Sequence, residues 1–131
     1  MKNEDSSLRK SERLSSGKVI DRLFNGSGSR SISVFPLRLV FMTGTRSDRE
    51  PPAQMMISVP KRHLKLAIDR NRVKRQVREA YRHNKYLLAD IAGKKLVMAF
   101  IYMDNRLHDG NYITARVRRL IERVSERQLK N

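Results

Sequence analysis

Between Asp69 and Arg82 the chain repeats apolar residues at helical spacing and fills most of the remaining positions with positive charge. At about 100° per residue, Val73, Val77, Ala80 and Tyr81 gather into one apolar stripe that must be buried against another element. Arg70, Lys74, Arg75, Arg78 and Arg82 fall together on the opposite side, with Asn71 beside them. From Lys61 to Arg82 there are nine cations (Lys61, Arg62, Lys65, Arg70, Arg72, Lys74, Arg75, Arg78, Arg82) against Asp69 and Glu79, nearly half of the formal charge of +16. A helix that merely faced solvent would intersperse glutamates, because like charges three or four residues apart each cost about 0.2–0.5 kcal/mol. The pattern therefore predicts a bound polyanion, and nucleic acid fits a net charge of this size better than an anionic membrane. Arginine outnumbers lysine on the helix, which favours bidentate phosphate contacts, and Asn71 can bond a base edge or a 2′-hydroxyl. RNA leads on these grounds, and DNA stays open.

With 131 residues and 39% hydrophobic content the chain fits one domain around one core. Residues 1–13, polar and of mixed charge, are expected to form a mobile arm, and residues 14–131 the RNA-binding domain. The longest apolar run, Leu96 to Met103, has the length of a strand and not of a membrane span, so a cytoplasmic protein without membrane contact is expected. The absence of cysteine excludes disulfides and thiolate chemistry. A self-contained nuclease needs paired carboxylates holding metal, or histidines placed for acid–base work. Here the acids are isolated, and His63, His83 and His108 are scattered. Catalysis by the protein's own side chains is therefore not expected.

Ser15 or Ser16 can cap a short helix whose apolar face is Val19, Ile20, Leu23 and Phe24, with Asn25-Gly26 as a left-handed stop. A loop is expected from Gly26 to Ser31, then one strand from Ser33 to Thr43, with Pro36 at its start or at an edge. Gly44 to Ala53 reads as a loop and Gln54 to Val59 as a second strand, ended by Pro60. The basic connector Lys61 to Leu66 leads into the basic helix, with Asp69 as its cap or first-turn acid, and Leu96 to Met103 is a buried third strand. From about Asp109 an amphipathic helix buries Ile113, Val117, Leu120, Ile121 and Val124 and carries Arg116, Arg118, Arg119, Arg123 and Arg127 elsewhere. Strand, basic helix and strand make a βαβ unit, so the expected fold class is α+β, a two-layer sandwich with helices at both ends of the chain. Phe24 is ambiguous, since a short helix laid on a sheet can leave a cleft in which an aromatic stacks on an unpaired base.

Arg70-Asn71-Arg72-x-Lys74-Arg75-x-x-Arg78, preceded by Ser58-Val59-x-Lys61-Arg62 and Ala67-Ile68, resembles the signature of the bacterial ribonuclease P protein subunit, and the likeness extends from about Leu14 through the last helix. The resemblance implies a protein that partners a catalytic RNA in endonucleolytic removal of the 5′ leader from precursor tRNA. The RNA, with bound Mg²⁺, would perform the chemistry, the protein would lower the magnesium requirement, and no obligate protein partner is expected. It also implies that Lys61, Arg62, Lys65, Arg70, Asn71, Arg72, Lys74, Arg75, Arg78 and Arg82 face RNA, and that Ile20, Phe24 and Val40 line a cleft for the single-stranded leader. Family members often carry aromatics at the positions of Ile20 and Val40, so a looser apolar contact is expected here. His63-Leu64-Lys65-Leu66 replaces a glycine-asparagine turn common in the family, and a differently bent connector follows. The resemblance further implies a left-handed βαβ crossover, against the right-handed form found in about 98% of such units. The alternative is a structural RNA-binding protein such as a ribosomal component.

Overall fold

The computed structural model describes residues 8–45, 51–88 and 94–130. In chain order the elements are α1 (Gly17–Asn25), β1 (Arg30–Val34), β2 (Leu37–Thr45), β3 (Ala53–Ser58), α2 (Ala67–Asn84), β4 (Lys94–Tyr102) and α3 (Gly110–Lys130). Short 3-10 turns at Lys10–Glu12 and Lys85–Leu88 complete the set. The four strands form one mixed sheet in the order β1-β2-β4-β3, in which only β3 and β4 are parallel.

Alternation along the strands divides the interior in two. Leu37, Leu39 and Phe41 of β2, Met55 of β3, and Leu96, Met98, Phe100 and Tyr102 of β4 meet the buried stripes of α2 (Val73, Val77, Ala80, Tyr81) and α3 (Ile113, Val117, Leu120, Ile121, Val124). On the reverse face Val40, Val97 and Ala99 meet Leu14 and Leu23 under α1. Because β4 is covered on both faces, it reads in sequence as an unbroken apolar run. Two helices on one face and the short α1 on part of the other realise the expected α+β sandwich.

The hand of the β3-α2-β4 unit follows from backbone chirality. Viewed from the α2 side with β3 running upward, an L-residue whose side chain faces the viewer turns its own N–H and C=O to the right. Met55 faces that core, and its carbonyl accepts the Leu14 amide at 2.8 Å on the outer edge of the sheet. β4 therefore lies to the left, and the crossover is left-handed, the minority form.

Several expectations are corrected. Residues 8–13 are not part of a free arm: Leu8 packs on the core, Arg13 bridges to Met55, and Lys85 Nζ meets Glu12 Oε1 at 2.8 Å. Residues 1–7 lie outside the described residues. The single strand expected from Ser33 to Thr43 is a hairpin, β1 to β2, turning at Phe35 and a cis-linked Pro36 with Val34 opposite Leu37. The loop expected over Gly26 to Ser31 accordingly gives up Arg30 and Ser31 to β1. Of the expected 44–53 loop, residues 46–50 lie outside the described residues.

Ser16 caps α1, accepting the Val19 amide, but Gly26 is not a left-handed stop: its φ is −82°. Glycine is needed there because its amide reaches Arg22 O so closely that an added Cβ would stand 2.5 Å from that oxygen. Gly26→Ala is expected to destabilise the fold by about 1–3 kcal/mol through that clash, read as a lower denaturant midpoint with an unchanged slope. Asp69 is a first-turn acid of α2 and not its cap, which is Leu66, so it complements the helix dipole without a capping bond. Asp109 Oδ1 does cap α3, accepting the Tyr112 amide at 2.9 Å. Among the described residues no helix is long and apolar enough to cross a membrane.

Candidate nucleic-acid interface

α2 can display cations because its other side is fully used: Val73 and Val77 are completely buried, and Ala80 and Tyr81 nearly so. That burial fixes the rotation of the helix and turns Asn71, Arg72 and Arg75 to solvent, with Lys74 and Arg78 half-exposed at the flanks. Ile68, Asp69, Asn71, Arg72 and Arg75 line one open depression at the start of the helix. Among the described residues, no hydrogen bond or ion pair holds Arg72, Lys74, Arg75 or Arg78. Arg72 with Arg75, and Arg75 with Arg78, are like-charge neighbours three residues apart, which an isolated helix disfavours by about 0.2–0.5 kcal/mol each. Lys61, Arg62 and Lys65 are exposed on the connector just before the helix and extend the same basic surface.

Two of the expected RNA-facing arginines are engaged elsewhere. Arg70 folds back, donating from Nη1 to Leu64 O at 2.9 Å and Lys65 O at 2.7 Å. It staples the connector to the first turn of α2: at about 100° per residue Arg70 falls between Val77 and Tyr81, within the buried stripe and not on the opposite side where it was expected. Arg70→Ala is thus expected to lose about 1.5–3 kcal/mol of stability, the range for a charged hydrogen bond, whereas Arg72→Ala leaves thermal stability unchanged. Parallel thermal melts of the two variants separate these outcomes. Arg82 pairs with Glu79, which His83 also meets at 3.1 Å. The Arg82 hydrogen bond, outweighing a small desolvation, holds the exposed Glu79 carboxyl below the usual carboxylate range. The last turn of the helix is therefore the one place on it where the charge is locally balanced.

The three residues expected to line a cleft are spread in depth. Phe24 is 41% exposed on α1, Ile20 is half-buried below it, and Val40 is buried at 6% exposure within the packing under α1. Of the three only Phe24 is exposed, and Val40 forms part of the floor that supports α1.

The helical pattern did not single out Leu66 and Ile68, which are 62% and 75% exposed beside the arginines. Aliphatic side chains this exposed, at the mouth of a basic depression, offer an apolar contact for sugars or bases. For Ile68 the signal was available in sequence, since it does not fall on the apolar stripe of α2; Leu66 stands seven residues before Val73, in line with the stripe, and is exposed because it caps the helix in extended conformation.

Among the described residues no group of three or more histidines, aspartates or glutamates is placed to hold a metal ion. The side chains gathered here, cations with an amide and exposed aliphatics, can neutralise phosphate and pack on sugars or bases.

Residues 8–125 match the family model described as Ribonuclease P. The ribonuclease P protein component of Porphyromonas gingivalis is 36% identical over 121 residues, covering 90% of this chain and 86% of that protein. The corresponding protein of Chlorobium phaeobacteroides is 34% identical over 111 residues, covering 76% of this chain and 74% of its own. In three dimensions the chain is similar to the ribonuclease P protein from Thermotoga maritima, with a TM-score of 0.63 at 22% identity over 86% of this chain and 96% of that one. The Staphylococcus aureus protein superimposes with a TM-score of 0.52 at 20% identity, over 93% and 92% of the two chains. At those identities the structures attest the fold alone, and the sequence matches carry the assignment. A basic helix in a left-handed crossover, found in a chain matched by the family model over nearly its whole length, belongs to the ribonuclease P protein family.

Proposed function

We propose that this chain, the protein component of an endoribonuclease holoenzyme with an RNA partner, works as an electrostatic adaptor between a catalytic RNA and precursor tRNA. Arg72, Arg75 and Arg78 on α2, extended by Lys61, Arg62 and Lys65, bind phosphates where strands of RNA crowd together. Asn71 adds a base-edge or 2′-hydroxyl contact. Arg70 acts through the connector, keeping Lys61 to Lys65 in register with the helix. The 5′ leader passes beside α1, where Phe24 stacks on an unpaired base.

Mg²⁺ is assigned to the RNA; among the described residues no group of three or more histidines, aspartates or glutamates is placed to hold it. By neutralising phosphates the protein lowers the concentration of Mg²⁺ that the RNA needs. The work belongs in the cytoplasm, needs no other protein, and involves no membrane. The single observation that carries the proposal is that Arg72, Arg75 and Arg78, like charges three residues apart on α2, have no hydrogen bond or ion pair among the described residues, a cost to the free protein that a bound anion repays. The matches favour this reading over a structural RNA binder of the ribosomal kind.

The test is cleavage of a 5′-labelled precursor tRNA at low magnesium by protein alone, by a bacterial ribonuclease P RNA alone, and by both. Cleavage at the mature 5′ end only when both are present is the expected result. Protein that binds the RNA tightly without enhancing cleavage would favour the structural alternative.

A further inference from the structure

α3 carries a second run of cations that the surface on α2 does not use. On a helical wheel Arg116, Arg119, Arg123 and Arg127 fall within about 80° of one another, with Glu122 and Glu126 outside that arc. Two hydrogen bonds fix where the arc points. Ser125 Oγ, on the far side of the helix, donates to Leu87 O next to the end of α2 at 3.0 Å. Arg116 Nε donates in the opposite direction, to Phe35 O in the β1-β2 turn, at 3.0 Å. The arc therefore faces away from α2 and lies along β1, an outer strand of the sheet.

The end of this stripe is built rather than merely solvated. The Arg116 guanidinium lies 4.2 Å from the centre of the Tyr112 ring. That ring stacks on His108 at 4.4 Å between centroids, and His108 Nε2 meets Asp104 Oδ2 at 2.7 Å. Beside this stack the Phe35 ring is 60% exposed at the tip of a two-residue turn. The turn is held from both sides, by Arg116 and by the Met103 amide, which donates to Pro36 O at 2.8 Å. Among the described residues no acid pairs with Arg116, Arg119 or Arg123; Glu122 is taken by Arg118 on the other flank.

Building on the RNA-binding role argued above, we propose that the α3 and β1 edge is a second RNA surface, binding a different strand segment from the one on α2. Phosphates of that segment lie along Arg116, Arg119 and Arg123, and an unpaired base stacks on Phe35. β1 and β3 are the two outer strands, three strand spacings or roughly 14 Å apart, and α2 crosses from β3. The two basic surfaces thus lie toward opposite edges of the sheet on the helical layer, separated by the width of the two helices. The protein then ties two RNA segments together as well as shielding one.

The test compares full-length Arg119→Gln/Arg123→Gln with Arg72→Gln/Arg75→Gln, each checked for an unchanged thermal midpoint. Affinity is measured against salt for two probes: the ribonuclease P RNA alone, and precursor tRNA added to the assembled holoenzyme. Loss of two phosphate contacts weakens binding about tenfold at 0.15 M salt and lowers the log-log slope by about 1.4. The α3 pair is expected to show this loss with one of the probes, and the probe affected identifies which RNA the surface holds. If the α3 pair binds both probes as wild type does while the α2 pair is weakened, the second surface is refuted alone. If neither pair is weakened, the RNA-binding role itself is refuted. A photoreactive residue at Phe35 and another at Ile68 are expected to crosslink to separate RNA segments; the same nucleotides from both positions would overturn the two-segment arrangement.

Discussion

Arg72→Gln/Arg75→Gln leaves the fold unchanged and weakens RNA binding roughly 10- to 30-fold at 0.15 M salt, the value of two lost phosphate contacts at slopes of about 0.7 to 0.9 each. Both side chains are solvent-facing and hold nothing within the protein, so no stability is lost with them. Because the proposed role of these cations is to replace counterions, the defect in precursor cleavage is expected to be largest at low magnesium and to recover as magnesium is raised. Single-turnover cleavage across a magnesium series checks this. An equal loss at every concentration would mean that the arginines do something other than neutralise phosphate, and the adaptor mechanism would fall. Arg70→Ala serves as the contrast: its defect arises from a loosened connector and accompanies a lower melting temperature. Treating the arginines of the motif as equivalent would miss that difference.

The largest effect on stability is expected at Phe100. Its side chain is completely buried at the middle of β4, and its ring meets Tyr81 of α2 edge-on at 6.1 Å between centroids. Burial, with Glu12 adding to it, pushes the Tyr81 hydroxyl well above the ordinary tyrosine value. Phe100→Ala removes the ring from the junction of sheet and helices, and a cavity of that kind costs about 3–5 kcal/mol. Against a total stability of about 5–15 kcal/mol for a domain, the variant loses a fifth or more of its margin. Urea unfolding measures it directly. A loss under about 1 kcal/mol would show that α2 does not rest on β4 through this ring. Because the packing also fixes the rotation of α2, the variant is expected to impair RNA binding under conditions where part of the population is unfolded, and ligand-free stability and affinity should fall together.

What the residue order made legible was periodic. The stripes of α2 and α3, the parity of Leu37, Leu39 and Phe41, and the double-sided apolar run of β4 all lie where the spacing places them. Each repeats a geometric period over enough residues to outweigh local noise. The β1-β2 hairpin was less visible because its turn has only two residues, and Val34, Phe35, Pro36 and Leu37 form an apolar run with no polar or glycine turn residue to mark it. The Lys10–Glu12 turn was hidden for a related reason: the polar residues that dock it on β3 have no period, and their partners Gln54 and Lys85 lie 43 and 73 residues away.

The interface divides along the same line. That the stretch from Lys61 to Arg82 concentrates positive charge on a helix was set by the sequence, since charge count and spacing are properties of the chain itself. Which cations are available was set by tertiary structure. Arg70 was diverted to the Leu64 and Lys65 carbonyls by the bend of the connector, and Val40 into the floor beneath α1, whereas the pairing of Arg82 with Glu79 is local, three residues apart on one helix. The exposure of Phe35 beside Arg116, 81 residues later in the chain, required the fold as well. Periodicity constrains the orientation of a side chain relative to its own element, whereas the partner it finds depends on elements distant in sequence, and only the packed molecule brings those together.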